Sequence, residues 1–396
     1  MSNDQTTQRV WPITEAFNAI IALDELFLSA LTQQASDIHC ESTVEGMTIK
    51  LRVDGLLWSE SKIEGNKSAE QLVSRIKVLA QLDIAEKRIP QDGRLKVMID
   101  TQAVDVRVSI MPSVIGEDAV LRLLDKSHLA NQEGLLHLDA LGFRDSEAAS
   151  LRALASLPYG MLLVTGPTGS GKTTTLYALL SELARPDEKT ITIEDPVEYR
   201  IPGLLQIPVN DKKGLTFATG LRSILRHDPD RLLVGEIRDK ETADISVQAA
   251  LTGHQVFTTI HANSVLDVVN RFTHMGCDLH ALAASLNGVV AQRLVRALCN
   301  KCAIKTPTEA APLMRRKGQG CAVCRGTGFK GRIAFAEILC VDEKFRAMLI
   351  ERRPSVELRA YLNSQRFEWL YEAGQHLVVS GATDQTEVDR VAMRVI

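Results

Sequence analysis

The stretch Gly166-Pro-Thr-Gly-Ser-Gly-Lys-Thr173 fits the pattern G-x-x-x-x-G-K-[ST] at every position. A short apolar run, Met161–Thr165, precedes it, and a stretch of helical character begins near Lys172. Glycines let such a loop turn so that its backbone N–H groups converge on phosphate oxygens, and the start of the following helix favours an anion. The sequence therefore predicts a phosphate-binding loop between a strand and a helix.

The residue types of this loop fit a nucleoside triphosphate with magnesium. Lys172 is expected to reach the β- and γ-phosphates, and the Thr173 hydroxyl is a ligand for Mg²⁺. A glycine-rich turn without a ligand is the alternative, which the agreement of pattern and flanking elements disfavours. The predicted ATP-binding set is Gly166, Pro167, Thr168, Gly169, Ser170, Gly171, Lys172, Thr173 and Thr174.

Carboxylates end two further apolar runs, Thr190–Ile193 and Arg231–Val234. A nucleotide hydrolase needs carboxylates that hold Mg²⁺ and orient the attacking water. Ligands of an open parallel sheet lie beyond the carboxyl ends of its strands, where Glu194 and Glu236 are expected. We assign Glu236 to the Mg²⁺ shell, as the Walker B residue, and Glu194 to water activation. The reverse assignment and a simple strand-end role stay open.

The spacing of the apolar runs predicts the fold class. Between residues 160 and 260 strands alternate with helical stretches, which indicates an α/β domain with a parallel sheet. Residues 1–125 carry short alternating runs, such as Val104–Ile110, and are predicted to form a smaller α+β domain. Residues 126–138 have no strong period and are predicted to be a linker, so that the second domain spans 139–396 and ends in helices.

Two arginines and a histidine are further candidates. Arg222 and Arg226 are four residues apart, which places them on one face if the segment is helical. Their guanidinium groups could contact phosphates or the nucleotide of a neighbouring subunit, and a solvated basic face is the alternative. His261 follows the apolar run Val256–Ile260, where it could sense the γ-phosphate through a hydrogen bond or could be a structural histidine.

Two close cysteine pairs have the spacing of metal ligands. Cys299 and Cys302, with Cys321 and Cys324, give C-x2-C-x18-C-x2-C, which suits tetrahedral Zn²⁺ within a module of about 297–330. Four thiolates leave no open position, so the site would be structural. Zinc is favoured over an iron–sulfur cluster because nothing else in the sequence indicates redox chemistry. Four unliganded thiols are the remaining alternative.

Charge and hydropathy narrow the function classes. The 396 residues carry a net charge of −3, which gives no support to bulk attraction to nucleic acid or anionic lipid. No apolar run reaches the ~18–20 residues that a membrane span needs, and the polar segment Met1–Val10 is unlike a signal peptide. We therefore expect a cytoplasmic protein with no direct nucleic-acid partner.

The motifs, taken in order, resemble the assembly ATPases of type II secretion and type IV pilus systems. Beyond the phosphate loop, T-I-E-D-P-V-E resembles the family's aspartate box and T-G-H-Q-V-F-T-T-I-H-A-N its histidine box. Upstream, A-S-D-I-H-C-E, L-D-I-A-E-K-R-I-P-Q-D-G-R and R-V-S-I-M-P resemble its N-terminal domain. The resemblance covers roughly residues 30–390.

This resemblance implies a RecA-like ATPase domain preceded by the family's second N-terminal domain, in a homo-hexameric ring. It implies that Arg107, Arg122, Arg222 and Arg226 reach the nucleotide and that His261 does so too. It further implies a motor that powers assembly of a type IV pilus or a secretion pseudopilus. Such a motor is peripheral to the inner membrane, which it meets only through platform and accessory proteins.

Two departures and two rival functions accompany the resemblance. The chain begins close to the second N-terminal domain, so we expect the extra docking module of many members to be missing. G-R-I-A-F-A-E-I-L differs from the commoner G-R-x-G-x-x-E, although Arg332 and Glu337 remain.

The cysteine tetrad favours the extension and secretion branch over retraction ATPases. The rivals are a nucleic-acid translocase, including conjugation or DNA-uptake ATPases, and a non-enzymatic scaffold that binds ATP and zinc.

Overall fold

Buried apolar side chains pack against two large sheets. One sheet lies in each of two compact units, Met1–His128 and Leu129–Ile396. A computed structural model describes residues 9–11, 17–99, 102–124, 136–308 and 311–394. Most of the predicted linker, 126–138, lies outside these residues. Its end is described, and Leu136 and Leu138 are buried in the core of the second unit.

The described residues of the first unit form one sheet, with the strand order β1-β4-β3-β2-β7-β6-β5, and two helices. Its strands are β1 (Arg9–Trp11), β2 (Asp37–Thr43), β3 (Gly46–Val53), β4 (Leu56–Glu64), β5 (Gln91–Ile99), β6 (Gln102–Pro112) and β7 (Glu117–Leu123). Its helices are α1 (Ala19–Thr32) and α2 (Asn66–Leu79).

Local sequence explains these elements. In α1 the buried positions, among them Leu23, Phe27 and Ala30, recur at helical spacing, and the Asn18 side chain caps the helix start. Asp54 and Gly55 join β3 to β4 with φ of 50° and 84°, as a two-residue hairpin turn requires. The prediction of an α+β arrangement for this part of the chain agrees with these elements.

The second unit contains a sheet with the order β10-β9-β11-β12-β8-β13-β16, in which β16 alone is antiparallel to its neighbour. Its strands are β8 (Gly160–Thr165), β9 (Thr190–Glu194), β10 (Leu205–Pro208), β11 (Arg231–Val234), β12 (Gln255–Ile260), β13 (Leu286–Leu298) and β16 (Phe329–Cys340). A separate hairpin, β14 (Ile304–Thr308) with β15 (Ala311–Arg316), lies between β13 and β16 in the chain.

Helices pack on both faces of this sheet. They are α3 (Asp145–Ala155), α4 (Lys172–Leu183), α5 (Phe217–Ile224), α6 (Lys240–Leu251), α7 (Val265–His274), α8 (Leu279–Ser285), α9 (Glu343–Ile350), α10 (Ser355–Ser364), α11 (Leu370–Val379) and α12 (Gln385–Val391). Strands β8, β9, β11 and β12 are buried along their whole length, as expected of parallel strands covered on both sides. The prediction of an α/β fold is confirmed.

Within the ranges given above, no helix combines the length and the apolar character needed to cross a membrane.

Candidate active site

The phosphate loop joins β8 to α4, as the sequence predicts. Gly166, Gly169 and Gly171 have φ of 144°, 80° and 88°, values that L side chains rarely adopt. A Cβ on Gly166 would also lie 2.5 Å from the backbone oxygen of Gln292. The loop therefore requires glycine at these positions, and its tip at Pro167 to Gly169 is exposed.

Gln292, in β13, supports the loop from the protein interior and is a residue that sequence reasoning missed. Its side-chain nitrogen donates to the Ser170 backbone oxygen at 2.8 Å, and its side-chain oxygen accepts from the Thr175 hydroxyl at 2.8 Å. Because Gln292 and Thr175 are buried, these bonds fix the loop against the start of α4. Its only signal in the sequence is the polar pair Gln292-Arg293 between the apolar stretches Val289–Ala291 and Leu294–Val295.

Lys172 begins α4 and lies over the loop. Its Nζ donates to the backbone oxygens of Gly166 at 2.8 Å and Pro167 at 3.1 Å. Burial lowers the pKa of Lys172, Glu236 raises it and Arg293 lowers it. The ammonium thus has a carboxylate near enough to affect its titration. Thr173, the next residue, is half-buried.

Glu194 ends β9 and is buried, with 3 % of its surface exposed. Its Oε2 accepts a short hydrogen bond from the Tyr177 hydroxyl, and its Oε1 accepts from the Thr192 hydroxyl at 2.6 Å and from the Gln206 amide at 3.3 Å. Burial raises the pKa of Glu194, and these three donors lower it without cancelling the effect of burial.

Glu236 lies just beyond the end of β11. Its Oε1 forms an ion pair with Arg238, and its Oε2 lies 3.3 Å from Nε2 of His261, which follows β12 and is exposed. Arg238 also pairs with Asp195 at 3.2 Å. The structure therefore brings Glu236 and His261 together, while Asp195 contributes to this polar cluster through Arg238.

The prediction that Arg222 and Arg226 share one helix face was wrong in detail. Helix α5 ends at Ile224, so Arg226 lies past its end and donates to the Arg222 backbone oxygen at 2.9 Å. Arg222 forms an ion pair with Glu241 of α6 at 2.6 Å. After Ile224 the backbone tightens, since the N–H groups of Arg226 and His227 donate three residues back, and Asp228 then adopts a φ of 53°, which a helix does not allow.

Arg107 and Arg122 belong to a row of side chains across the first unit's sheet. Arg107 of β6 stands opposite both Arg94 of β5 and Arg122 of β7. Arg122 donates to Asp37 Oδ1 at 2.9 Å, and Asp37 stands opposite Arg52 of β3. Like charges directly opposite one another repel in a sheet, so an anion bound beside Arg94, Arg107 and Arg122 would relieve this repulsion.

The four predicted metal ligands converge. The Sγ atoms of Cys299, Cys302, Cys321 and Cys324 all lie within 4.8 Å of one another. Three Sγ–Sγ distances are 3.9, 3.6 and 3.7 Å, close to the ~3.8 Å edge of a tetrahedron with zinc–sulfur bonds of ~2.3 Å.

Backbone groups favour the thiolate form of one of these cysteines. Burial raises the pKa of Cys324, but N–H groups of Cys321 and Gly328 donate to its Sγ at 3.1 and 3.2 Å, and the pKa falls to about 6. Among the described residues these cysteines form a group that could hold a metal ion, and their geometry fits a tetracysteine metal site.

The model of one protein family, described as Type II/IV secretion system protein, matches residues 14–390. The chain belongs to this family. It is 44% identical to the type II secretion system protein E of Pectobacterium carotovorum, covering 96% of this chain and 76% of that protein. It is 43% identical to the type II secretion system ATPase E of Vibrio cholerae, covering 96% and 75%.

Pilus proteins and solved structures are also among the similar proteins. The chain is 40% identical to the type IV pilus assembly ATPase PilB of Thermus thermophilus, covering 92% of this chain and 42% of PilB. Among solved structures, the ATPase DotB of Legionella pneumophila matches with a TM-score of 0.72 over 97% of this chain and 98% of that one, at 21% identity. The pilus retraction motor PilT matches with a TM-score of 0.64 over 94% and 97%, at 22% identity. These structures share the fold.

Proposed function

We propose that the chain is a Mg²⁺-dependent ATPase that works as a homo-hexameric ring and powers assembly of a type IV pilus or a type II secretion pseudopilus. Membership of the type II/IV secretion family supports the ATPase class. The observation that carries the proposal is the phosphate loop after β8 together with Glu194 and Glu236 at the carboxyl ends of β9 and β11. Phosphates, metal ligand and base can meet at this edge of a parallel sheet.

Each residue has a proposed role. The loop N–H groups and Lys172 bind the β- and γ-phosphates, and Thr173 with Glu236 would hold Mg²⁺, which neutralises phosphate charge when bound. Glu194 orients the attacking water and takes its proton. His261 donates a hydrogen bond to the γ-phosphate from its place beside Glu236. Differences in nucleotide binding between subunits then drive domain motion around the ring.

The arginines would complete the nucleotide site. Arg107 and Arg122 lie in the row of arginines on the first unit's sheet. Arg222, in α5, and Arg226, just past its end, are exposed. An arginine that contacts the transferred phosphoryl group stabilises the charge that develops in the transition state. We propose that all four contribute to binding of the nucleotide.

The partners follow from the family. We propose an attachment to the cytoplasmic face of the inner membrane through a platform protein and accessory proteins of the same machine. We propose no direct contact with nucleic acid, in line with the net charge of −3.

The cysteine tetrad is proposed to hold one structural Zn²⁺ per chain. The Sγ distances near a tetrahedral edge support zinc, and four thiolate ligands leave no place for substrate. Metal analysis of the purified protein should give one zinc per chain, and Cys321→Ser should abolish it. Iron with sulfide in the parent protein would instead indicate a cluster.

Steady-state phosphate release tests the enzymatic proposal. Lys172→Ala, Glu194→Gln and Glu236→Gln should each lower turnover by about two orders of magnitude or more, because each removes a group that acts on the reacting phosphate. Lys240→Gln is a control at a nearby exposed cation, since Lys240 pairs with Asp244 of the same helix and not with Glu194 or Glu236. Full turnover in Lys172→Ala would overturn the proposal.

The same assay separates the rival functions. Phosphate release should not respond to duplex or single-stranded DNA. A several-fold stimulation by DNA would favour a nucleic-acid translocase. A folded hexamer with bound ATP and no turnover would favour the scaffold.

A further inference from the structure

The Glu194 carboxylate is enclosed by donors from three elements. Tyr177 reaches it from α4, Thr192 from β9 itself and Gln206 from β10. Gln206 also donates to the Tyr199 backbone oxygen at 3.1 Å and accepts from the Ile201 N–H at 2.8 Å. The Gln206 amide is thus itself held in place, and donors on three elements fix the orientation of the carboxylate.

Tyr177 connects this carboxylate to the phosphate loop. It lies five residues after Lys172 on the same helix, and it is completely buried. A helix is rigid over such a distance, so a shift of the loop and of α4 is transmitted to the tyrosine hydroxyl. The hydrogen bond from Tyr177 therefore links the group that would activate water to the element that holds the phosphates.

The surroundings of Glu194 make these donors necessary. A buried carboxylate resists ionisation unless hydrogen bonds stabilise its charge. Glu198, in the segment after β9, acts on it as a like charge and adds to this resistance. At the end of β11, Glu236 is paired with His261, and Arg238 is paired with Asp195. The hydroxyl and amide donors are therefore the main support for ionised Glu194.

We propose that Tyr177 is a positioning residue for the hydrolytic reaction, holding Glu194 ionised and aligned with the phosphate loop. This inference rests on the role proposed above for Glu194 as the base. Tyr177 acts through Glu194 and touches neither the nucleotide nor the attacking water. Its hydroxyl keeps the base available at neutral pH, and its place on α4 sets the direction in which the free lone pairs of the carboxylate point.

The chain supplies a matched control in Tyr199. Its ring packs edge-to-face on Tyr177 at 4.7 Å between centroids, and it is half-buried. Within the described part of the chain, the Tyr199 hydroxyl oxygen is buried and has no hydrogen-bond partner. Tyr199→Phe thus removes a neighbouring hydroxyl of the same kind without removing a donor to Glu194.

The test compares ATP hydrolysis by the full chain with that of Tyr177→Phe and Tyr199→Phe over a range of pH. For Tyr177→Phe we expect kcat at pH 7.5 to fall about tenfold and KM for ATP to change by less than about twofold. The acid limb of the kcat profile should move up by about one pH unit, because the carboxylate loses a donor to its charged form. Tyr199→Phe should match the parent in all three quantities.

Thr192→Val provides an independent second variant, since it removes the other hydroxyl donor to Glu194 without changing α4. It should move the acid limb in the same direction. An unshifted limb in both Tyr177→Phe and Thr192→Val, or equal effects of Tyr177→Phe and Tyr199→Phe, would overturn the inference. Turnover that persists in Glu194→Gln would instead overturn the assignment of the base, so the two failures are distinguishable.

Discussion

Glu387 is a buried carboxylate that stays ionised because two arginines contact it. Only 2 % of its surface is exposed. Its Oε1 accepts from Arg296 Nη2 at 2.6 Å, and its Oε2 accepts from Arg390 Nη2 at 2.9 Å and from the Arg296 backbone N–H at 3.1 Å. Burial alone would raise the pKa of Glu387, but the hydrogen bonds from Arg296 and Arg390 lower it to about 2.

This contact predicts an acid-dependent stability of the second unit. A pKa below its ordinary value of 4.5 stabilises the fold above that value, and the stabilisation is lost as the pH falls from about 4.5 towards 2. At about 1.4 kcal/mol for each pKa unit, Glu387→Gln should lower the free energy of unfolding by about 3 kcal/mol at pH 7. The difference from the parent should shrink below pH 4.

Trp369 fluorescence during urea unfolding measures this change within the second unit, in a Trp11→Phe, Trp58→Phe background that removes the other two tryptophans. Glu343→Gln, at an exposed glutamate of the same unit, should change the unfolding free energy little. An effect of Glu387→Gln that is the same at pH 7 and pH 3.5 would contradict the linkage.

The sequence predicted the residues expected to contact the nucleotide, but not the residues that hold them in place. The glycines, Lys172 and the strand-end carboxylates could be predicted because phosphate and metal binding require these residue types. Gln292 could not be predicted, because its function depends on β13 lying beside β8, and that pairing is a long-range contact. Tyr177 was missed for a similar reason, since it is on helix α4 and the Glu194 carboxylate that it contacts is on strand β9.

At the scale of elements, the strands next to the motifs were predicted, and β13 and β16, which lie on the other side of β8, were not. The apolar runs of β8, β9, β11 and β12 are short and bounded by polar residues. In contrast, β13 follows α8 without a loop and is buried on both faces, so its sequence shows no alternation. Such a run cannot be distinguished from a buried helix by period alone. The antiparallel β16 was missed with it.

Glu337 of β16 joins this unpredicted strand to two helices. Its Oε1 accepts from the Val265 N–H at the start of α7 at 2.7 Å, and its Oε2 accepts from the Leu370 N–H at the start of α11 at 2.9 Å. Helix N-termini favour a carboxylate. Since α7 follows the loop that bears His261, Glu337 helps to fix the position of that loop relative to the sheet.

Glu337→Gln is expected to destabilise the second unit. An amide offers one acceptor where two N–H donors converge, and its own N–H₂ would face a second donor in a site that is 2 % exposed. We expect the free energy of unfolding to fall by about 2–3 kcal/mol, the cost of a buried, unpaired polar group. Urea unfolding followed by Trp369 measures this, with Glu343→Gln as the control. A change in the free energy of unfolding below about 0.5 kcal/mol, the usual size at surface positions, would contradict the role of Glu337 in joining β16 to α7 and α11.

At the scale of the whole molecule, sequence patterns predicted an α+β part followed by an α/β part, and the two compact units have these characters. The row of arginines in the first unit is a feature that the sequence pattern alone could not predict. Arg94, Arg107 and Arg122 are far apart in the sequence, and only the register of β5, β6 and β7 puts them side by side. Because like charges opposed in this way repel, an anion bound at this face of the first unit would stabilise the three arginines.

If the nucleotide is shared between subunits of the proposed ring, two inactive variants should restore activity when mixed. Lys172→Ala removes the loop lysine and leaves Arg107, and Arg107→Ala does the reverse. In a head-to-tail ring of randomly mixed subunits, about a quarter of the interfaces would combine an intact Lys172 with an intact Arg107. Phosphate release after dissociation and reassembly should therefore rise well above that of either variant alone.

The control for this experiment is Lys96→Ala. Lys96 is two residues from Arg94 on the same strand and stands opposite Asp105, 3.8 Å away, so it is a cation of the same face that lies outside the arginine row. Lys96→Ala alone should hydrolyse ATP at the parent rate. If Arg107 contacted the nucleotide of its own subunit, every site in the mixed ring would lack one of the two groups, and the mixture would stay inactive. Restored activity would therefore mean that the ring, and not the single chain, is the catalytic unit.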